Sequence, residues 1–273
     1  MGCGVLDTIA ASPAPGRITL ATPDPNAPPA PATLRPAASA VPAQPNWQRV
    51  NPAIELITLT ARPKDAQSDQ SVMIARIDPA RAEFKVQYAP DGAQTVREWQ
   101  TATQADLTIN AGYFTEQHLA TGLIIANGRA SGTSYAGFGG MFSIADGRPA
   151  LQWLAKKPYA ADRRISSAVQ SFPMLINNGG LVPGIPADAR PSFRTFVGLD
   201  KQGRVILGVC QSPTWTMIEL AEWLAAQPAL NLDTALNLDG GRSTGLWIRG
   251  IDESRLTNSF DVVPAVIAVK AKG

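Results

Sequence analysis

The feature of this sequence that most limits its fold is a series of short apolar runs, each closed by residues that favour turns. Runs of this kind, with β-branched residues between turn signals, are typical of β-strands. Two tight turns, 200–203 and Asn127-Gly128, lie between such runs and predict β-hairpins. The runs are "SVMIARIDP", "EFKVQYAP", "ADLTIN", "GLIIANG", "GMFSIADG", "PMLINNG", "TFVGLDKQGRVILGV" and "DVVPAVIAVK".

Helical patterns are few. The stretch "TMIELAEWLAAQ", residues 216–227, has an apolar face, and Thr216 with Glu219 forms the T-x-x-E pattern of a capping box. A second candidate is "GAQTVREWQTAT", in which Val96 and Trp99 are three positions apart. The sequence therefore predicts an α+β domain, with a mixed, mainly antiparallel β-sheet body and a few helices.

The N-terminal part of the chain has a different composition. Ala and Pro occupy 21 of the 36 positions from 10 to 45, and no aromatic residue occurs there. Such a stretch cannot bury enough apolar surface to fold, and its prolines favour an extended chain. We therefore expect residues 1–46 to be a disordered Ala/Pro-rich tether and residues 47–273 to be the folded domain.

The charge balance gives no sign of a polyanionic partner. Lys and Arg number 24 against 22 Asp and Glu, for a formal net charge of +2. We therefore expect no nucleic-acid partner, and the charge is too small to indicate binding to a membrane surface. The chain has no run of about 18 apolar residues, so we expect no transmembrane span.

Two cysteines occur, and their positions predict neither a disulfide framework nor a zinc site. Cys210 lies in an apolar run and is expected to be buried. Gly2-Cys3 ahead of a tether resembles the end of a bacterial lipoprotein signal whose hydrophobic part lies upstream. This favours the bacterial periplasm or envelope and a lipid anchor through Cys3; an incidental cysteine and a cytoplasmic location stay open.

The stretch "TALNLDGGRSTGLWIRG", residues 234–250, carries the densest group of chemically useful side chains. Two consecutive glycines let a ligand approach backbone N–H groups, and a cation with hydroxyls nearby suits a phosphate. The same letters also make an ordinary polar turn. The predicted strand ends at Asp239, and the candidates that follow it are Gly240, Gly241, Arg242, Ser243 and Thr244.

Three further positions have two interpretations each. Asn110 in "TINAGYF" ends a strand, where it could hold a substrate oxygen or close an Asx-turn. Arg194 and Thr195 precede an apolar strand, where the arginine could grip a phosphate or lie on the solvated surface. Glu219 could serve only the capping box or could face the cleft as an acid or base.

No cofactor is expected from these patterns. Asp and Asn side chains with carbonyl oxygens could bind calcium, but no stretch has the spacing of a dedicated calcium loop. Calcium therefore stays open, and no other metal site is predicted.

Six segments in order resemble the phosphodiester glycosidase family: "NAGYF", "GLIIANG", "SFPMLINNG", "FRTFVGLDKQGRVILGV", "TMIELAEWLA" and "ALNLDGGRST". The resemblance covers roughly residues 105–247 and continues to the C-terminal strand. The family pattern has an Asn-Ala-Gly-aromatic-Phe box, an Arg-Thr before a strand, a Glu-Leu-Ala helix and an Asn-(apolar)-Asp-Gly-Gly-Gly-Ser box. Arg242 stands where the family has its third glycine.

The resemblance implies hydrolysis of a sugar-1-phosphodiester similar to an N-acetylglucosamine-1-phosphodiester, with a phosphomonoester as leaving group. It implies that Asp239 is the catalytic carboxylate and that Glu219 is a second candidate. A non-catalytic sugar-phosphate-binding envelope module is the alternative, and a structural envelope domain without a ligand is a third. The implied substrate and phosphate contacts are Asn110, Arg194, Thr195, Gly240, Gly241, Arg242, Ser243 and Thr244.

Overall fold

Antiparallel β-sheets and two helices make up residues 46–185 and 190–273, which are the residues described by this computed structural model. These residues belong to one compact unit. The predicted tether, apart from Asn46, lies outside the described residues, and so does Cys3.

The strands are short, as the turn-bounded apolar runs predict. They are β1 (Gln48–Arg49), β2 (Ile54–Ala61), β3 (Gln70–Ile77), β4 (Ala82–Tyr88), β5 (Leu107–Asn110), β6 (Ile124–Ala126), β7 (Arg129–Ser131), β8 (Gly140–Ala145), β9 (Arg148–Trp153), β10 (Ile165–Ser171), β11 (Met174–Asn177), β12 (Gly180–Leu181), β13 (Ser192–Asp200), β14 (Val205–Trp215), β15 (Leu232–Asn237), β16 (Leu246–Ile248) and β17 (Ala265–Ala271).

The strands of the described residues form three sheets. The first has the order β1-β2-β3-β14-β13-β15-β11-β12, the second β7-β6-β10-β8-β9, and the third β16-β5-β17-β4. Every pairing between these strands is antiparallel. The mainly antiparallel prediction is thus confirmed, and the pairings show no parallel component.

One apolar cluster joins all three sheets. Leu207 of the first sheet, Phe142 of the second and Ile109 of the third are each fully buried in it. Removal of this apolar surface from water is the main favourable contribution to folding. The sheets therefore share one core, and the ends of their strands are held at fixed positions around it.

Strand β14 explains why "VILGVC" is apolar without alternation. Val205 and Leu207 face the cluster shared by the three sheets, whereas Ile206 and Cys210 face a second cluster under a helix. Both faces of β14 are covered, so successive residues are all buried. The expectation that Cys210 is buried is confirmed.

Both helices begin at a capping box. The first, α1 (Val96–Thr103), is capped by Thr95, and the second, α2 (Met217–Ala225), is capped by Thr216. Each cap side chain accepts a hydrogen bond from the backbone N–H three residues on, which satisfies a donor with no partner inside the helix. The predicted helix over 216–227 is confirmed, one residue later at its start and two earlier at its end.

The two predicted hairpins are confirmed. Strands β13 and β14 pair on either side of the 200–203 turn, in which Gly203 has a φ of +77°. Asn127 and Gly128 both have positive φ, 50° and 74°, between β6 and β7. Within the described residues, no helix is long and apolar enough to cross a membrane.

We predict that Leu207→Ala destabilises the domain strongly. The side chain is fully buried where the three sheets meet, so its removal leaves a cavity. We expect a loss of about 2–5 kcal/mol in the free energy of unfolding, measured by guanidinium denaturation. Leu119, whose exposed fraction is 54%, gives the control Leu119→Ala, expected within about 0.5 kcal/mol of wild type. Equal effects of the two substitutions would contradict the shared core.

Candidate active site

The side-chain amide of Asn110 joins three segments at the edge where the sheets meet. It is 1% exposed, and its Nδ2 donates to the backbone oxygen of Asp239 at 2.7 Å. Its Oδ1 accepts from the Thr195 hydroxyl at 3.0 Å and from the Gly245 N–H at 3.1 Å. The amide therefore fixes the backbone at Asp239. A contact of Asn110 with substrate stays a prediction.

Thr195 and Thr244 belong to the same buried network. The Oγ1 atoms of these two residues are 3.2 Å apart, and both side chains are within 1% of full burial. Buried hydroxyls of this kind need partners, which here lie within the protein. Their contacts are with Asn110 and with each other, so the structure places these two threonines beneath the turn that carries Asp239. Their predicted substrate contacts stay predictions.

Asp239 lies two residues after the end of β15; the residue as a whole is partly exposed, whereas its carboxyl group is largely buried. Burial raises its pKa to about 6, against the opposing hydrogen bonds from the Ser243 hydroxyl and the Gly240 N–H. The bond from Gly240 to Oδ1 is 2.8 Å long. A carboxyl group with this pKa exchanges a proton near neutral pH, which is a property of catalytic acids and bases.

A 3₁₀ turn, Gly241–Ser243, follows this carboxylate. A Cβ on Gly240 would lie 2.7 Å from the backbone oxygen of Phe193, and Gly241 has a φ of +60°. Both positions thus require glycine. Among the hydrogen bonds of the described residues, none has the N–H of Gly241 or Arg242 as donor. These N–H groups are available to an acceptor on a ligand.

Arg194 is a buried cation near the turn. The side chain is 7% exposed, and Nε donates to the backbone oxygen of Trp215 at 3.0 Å. Nη2 donates to the backbone oxygen of Arg190 at 3.2 Å. These carbonyls orient the guanidinium, and its charge acts on Tyr113, whose pKa it lowers against larger opposing effects.

Glu219 is engaged in the capping box of α2. Its Oε2 accepts from the N–H and hydroxyl of Thr216 at 3.0 and 2.6 Å, and its Oε1 accepts from the N–H of Lys64 at 2.7 Å. Burial raises the pKa of Glu219, but these hydrogen bonds together outweigh it and lower the pKa. Glu219 therefore makes the capping-box contacts that the T-x-x-E pattern predicts. Its catalytic role stays a prediction.

Arg242 faces away from the buried network. Its side chain is 70% exposed, and its guanidinium donates to both carboxylate oxygens of Asp261 at 2.7–3.0 Å. Because this pair is exposed, it contributes little to stability. The predicted phosphate contact through this side chain stays a prediction.

Four aromatic side chains were not among the predicted site residues: two tyrosines that interact with the charge of Asp239 and two phenylalanines that contact them. Burial, and next the charge of Asp239, raise the pKa of Tyr113 to about 12. Burial also raises the pKa of Tyr135; a hydrogen bond with Thr121 opposes this and Asp239 adds to it. The other two rings are Phe138 and Phe172. The signal that could have found three of them is the pairing of aromatic residues with glycines in "NAGYF" and "SYAGFGG"; Phe172 lies outside both stretches.

Asn237 connects these rings to the strand that carries Asp239. Its Nδ2 donates to the Tyr113 hydroxyl and to the Phe172 backbone oxygen, both at 2.8 Å. The side chain is 1% exposed and lies two residues before Asp239. It is the first residue of the family's Asn-(apolar)-Asp-Gly-Gly pattern, but it was not among the predicted site residues.

A metal site is not evident in this part of the chain. Within residues 46–185 and 190–273, no group of three or more His, Cys, Asp or Glu side chains could hold a metal ion. Calcium bound mainly by amide and carbonyl oxygens stays untested.

A comparison with protein families decides the classification. The model of the phosphodiester glycosidase family matches residues 103–270. The chain belongs to this family. The matched span includes every candidate site residue, from Asn110 to Thr244.

Individual relatives are more distant. The uncharacterised protein YigE of Escherichia coli (strain K12) is 30% identical over 147 residues, which are 50% of this chain and 56% of YigE. The match thus spans little more than half the length of that relative.

Two solved structures share the fold. The catalytic domain of zebrafish N-acetylglucosamine-1-phosphodiester alpha-N-acetylglucosaminidase, auto-inhibited by its pro-peptide, matches 82% of this chain and 86% of its own at a TM-score of 0.66 and 18% identity. A hypothetical protein from Synechocystis matches 81% of this chain and 62% of its own at a TM-score of 0.57 and 14% identity.

We predict that Asn110→Ala destabilises the domain. The substitution leaves the Thr195 hydroxyl and the Gly245 N–H without their buried acceptor. We expect a loss of about 1–3 kcal/mol in the free energy of unfolding, measured in urea. The exposed Gln117 supplies the control, Gln117→Ala, which should unfold as wild type does. An unchanged midpoint for Asn110→Ala would show that the amide does not brace the site.

Proposed function

We propose that the protein hydrolyses a sugar-1-phosphodiester and releases the sugar and a phosphomonoester. The observation that carries this proposal is the position of Asp239, a carboxylate with a raised pKa. It lies directly beside a glycine turn whose N–H groups at Gly241 and Arg242 are available to an anion. Family membership supports the same class of reaction.

The reaction we propose is attack of water on the anomeric carbon. The ionised carboxylate of Asp239 accepts a proton from the water as its oxygen bonds to that carbon. The bond between the anomeric carbon and the phosphate oxygen breaks, and its electron pair leaves with the phosphate. A phosphate is a good leaving group, so one carboxylate suffices and a strong general acid is not required.

The glycine turn would hold the phosphate. The N–H groups of Gly241 and Arg242 can donate to phosphate oxygens, whereas the Ser243 hydroxyl already donates to the Asp239 carboxylate. The buried guanidinium of Arg194 supplies positive charge nearby. Asn110 would contribute by fixing the Asp239 backbone, since its amide is already bonded to the protein.

The test is release of sugar from UDP-N-acetylglucosamine and from a panel of p-nitrophenyl-phospho-sugars. We expect Asp239→Asn to lower kcat/KM by about a thousandfold, because the amide cannot accept the proton. Asp233→Asn, on the same strand, makes the same charge change away from the turn and should keep the wild-type rate. A wild-type rate for Asp239→Asn would refute the assignment.

The pH dependence follows from the raised pKa. Because the carboxylate must be ionised, kcat/KM should rise with pH through about 6, the pKa that burial gives Asp239. A rate that falls through this range would mean that Asp239 acts as an acid.

Two further measurements use the same assay. Addition of a chelator tests whether activity requires calcium, and Glu219→Gln tests whether the second carboxylate takes part in catalysis. If Glu219 only caps α2, the variant keeps kcat and loses about 1 kcal/mol of stability.

One observation favours a second function, a sugar-phosphate-binding module without chemistry. A charged residue, Arg242, replaces the third glycine of the family pattern and pairs with Asp261. Calorimetry with sugar phosphates separates the two functions. Binding by wild type with no product from any substrate would support the module and refute the hydrolase.

We further propose that the protein works in the bacterial envelope, on an envelope glycan or glycoconjugate, with a lipid on Cys3. The Gly2-Cys3 pair and the Ala/Pro-rich stretch support this location. Labelled palmitate should enter wild type expressed from its own locus and should be absent from Cys3→Ser. An unlabelled wild type would overturn the anchor.

A further inference from the structure

A glycine-rich loop, residues 132–139, carries two aromatic rings toward the candidate site. Gly132 and Gly139 have φ values of +77° and +74°, which other residues rarely adopt. A Cβ on Gly139 would lie 2.6 Å from the backbone oxygen of Ser171. The loop therefore follows a path that needs glycine, and it lies directly against the end of β10.

The side chain of Gln170 holds this loop in place. It is 1% exposed; its Oε1 accepts from the Tyr135 N–H at 2.8 Å, and its Nε2 donates to the Ser134 hydroxyl at 2.8 Å. Its Oε1 also lies 3.4 Å from the N–H of Leu123. A buried amide with partners on both ends fixes the groups it bonds. Gln170 thus determines where the loop presents its rings.

The rings form one continuous surface, which we call the aromatic wall: Tyr113, Tyr135, Phe138 and Phe172. Ring centroids are 4.7 Å apart for Tyr135 and Phe138, and 4.6 Å apart for Tyr113 and Phe172. Phe172 also meets Tyr135 and Phe138 edge to face at 5.6 and 5.8 Å. Phe138 and Phe172 are 49% and 37% exposed, so the wall offers ring surface to a ligand.

The wall is anchored to the strand of the proposed catalytic carboxylate. Asn237 donates both to the Tyr113 hydroxyl and to the Phe172 backbone, and Asp239 follows two residues later. The wall therefore lies near Asp239 through Tyr113 and Asn237, and the glycine turn begins directly after Asp239. A substrate cut beside Asp239 would have one of its two parts next to the wall.

We propose that the aromatic wall binds the pyranose ring of the substrate and that Gln170 is its positioning residue. The proposal rests on the proposed function. Ring faces carry negative electrostatic character, so they repel a phosphate and attract the C–H face of a sugar. The Tyr113 and Tyr135 hydroxyls lie at the edges of the wall, where sugar hydroxyls need polar partners.

The test compares two ligands by calorimetry, N-acetylglucosamine 1-phosphate and inorganic phosphate. Phe138→Ala should raise the Kd of the sugar phosphate by about fivefold and leave that of phosphate unchanged. Gln170→Leu should do the same with a retained fold. If Gln170→Leu does not fold, Ser134→Ala takes its place; it keeps Gln170 and removes the hydrogen bonds that the Ser134 hydroxyl accepts from Gln170 Nε2 and donates to the Tyr135 backbone oxygen. Leu119→Ala is the exposed apolar control.

Kinetics gives a second readout, since the wall should change KM for the sugar substrate and leave kcat nearly unchanged. An equal loss of affinity for both ligands in Phe138→Ala, or no loss, would overturn the wall. The outcome is separable from that of the proposed function, because calorimetry needs no turnover. The wild type could show no hydrolysis while Phe138→Ala still weakens binding of the sugar phosphate and not of phosphate. That result would support the wall and refute the hydrolase.

Discussion

The site depends on one buried amide, that of Asn110. It donates to the Asp239 backbone and accepts from Thr195 and Gly245; Thr195 lies in the first sheet, Asp239 follows a strand of that sheet, and Gly245 directly precedes β16 of the third. Groups bonded in this way inside the protein have no water to replace a lost partner, so the bonds hold the segments together. The glycine turn is held at both ends by Asn110, which bonds the backbone at Asp239 before the turn and at Gly245 after it.

The chemistry of the site comes from a balance around Asp239. Burial raises its pKa to about 6, and hydrogen bonds from Ser243 and Gly240 limit the rise. The charge of the same carboxylate also raises the pKa of Tyr113 and of Tyr135. A largely buried carboxylate close to polar N–H donors and to aromatic rings suits a substrate that has an anionic part and a ring with C–H groups.

Two strands, β9 and β10, were not predicted because their residues do not show the usual apolar pattern of a strand. Strand β10 is central in its sheet, yet it carries the buried polar residues Ser167, Gln170 and Ser171, which conceal its apolar periodicity. Strand β9 contains Pro149, and it lies at the edge of its sheet, where a missing N–H is tolerated. Gln170 in particular is a polar residue that would be expected on the surface; its burial is explained only by its hydrogen bonds to the loop.

Local sequence patterns account for the apolar runs that form strands, the 200–203 and Asn127-Gly128 hairpins, the capping box at Thr216 and the break after Asp239. Each depends on backbone preferences and on contacts a few residues apart. The packing of the whole chain sets which strand ends meet, brings Asn110 to the Asp239 backbone, and joins aromatic rings from three separate segments into one wall. These depend on contacts between residues far apart in sequence, which local patterns do not encode.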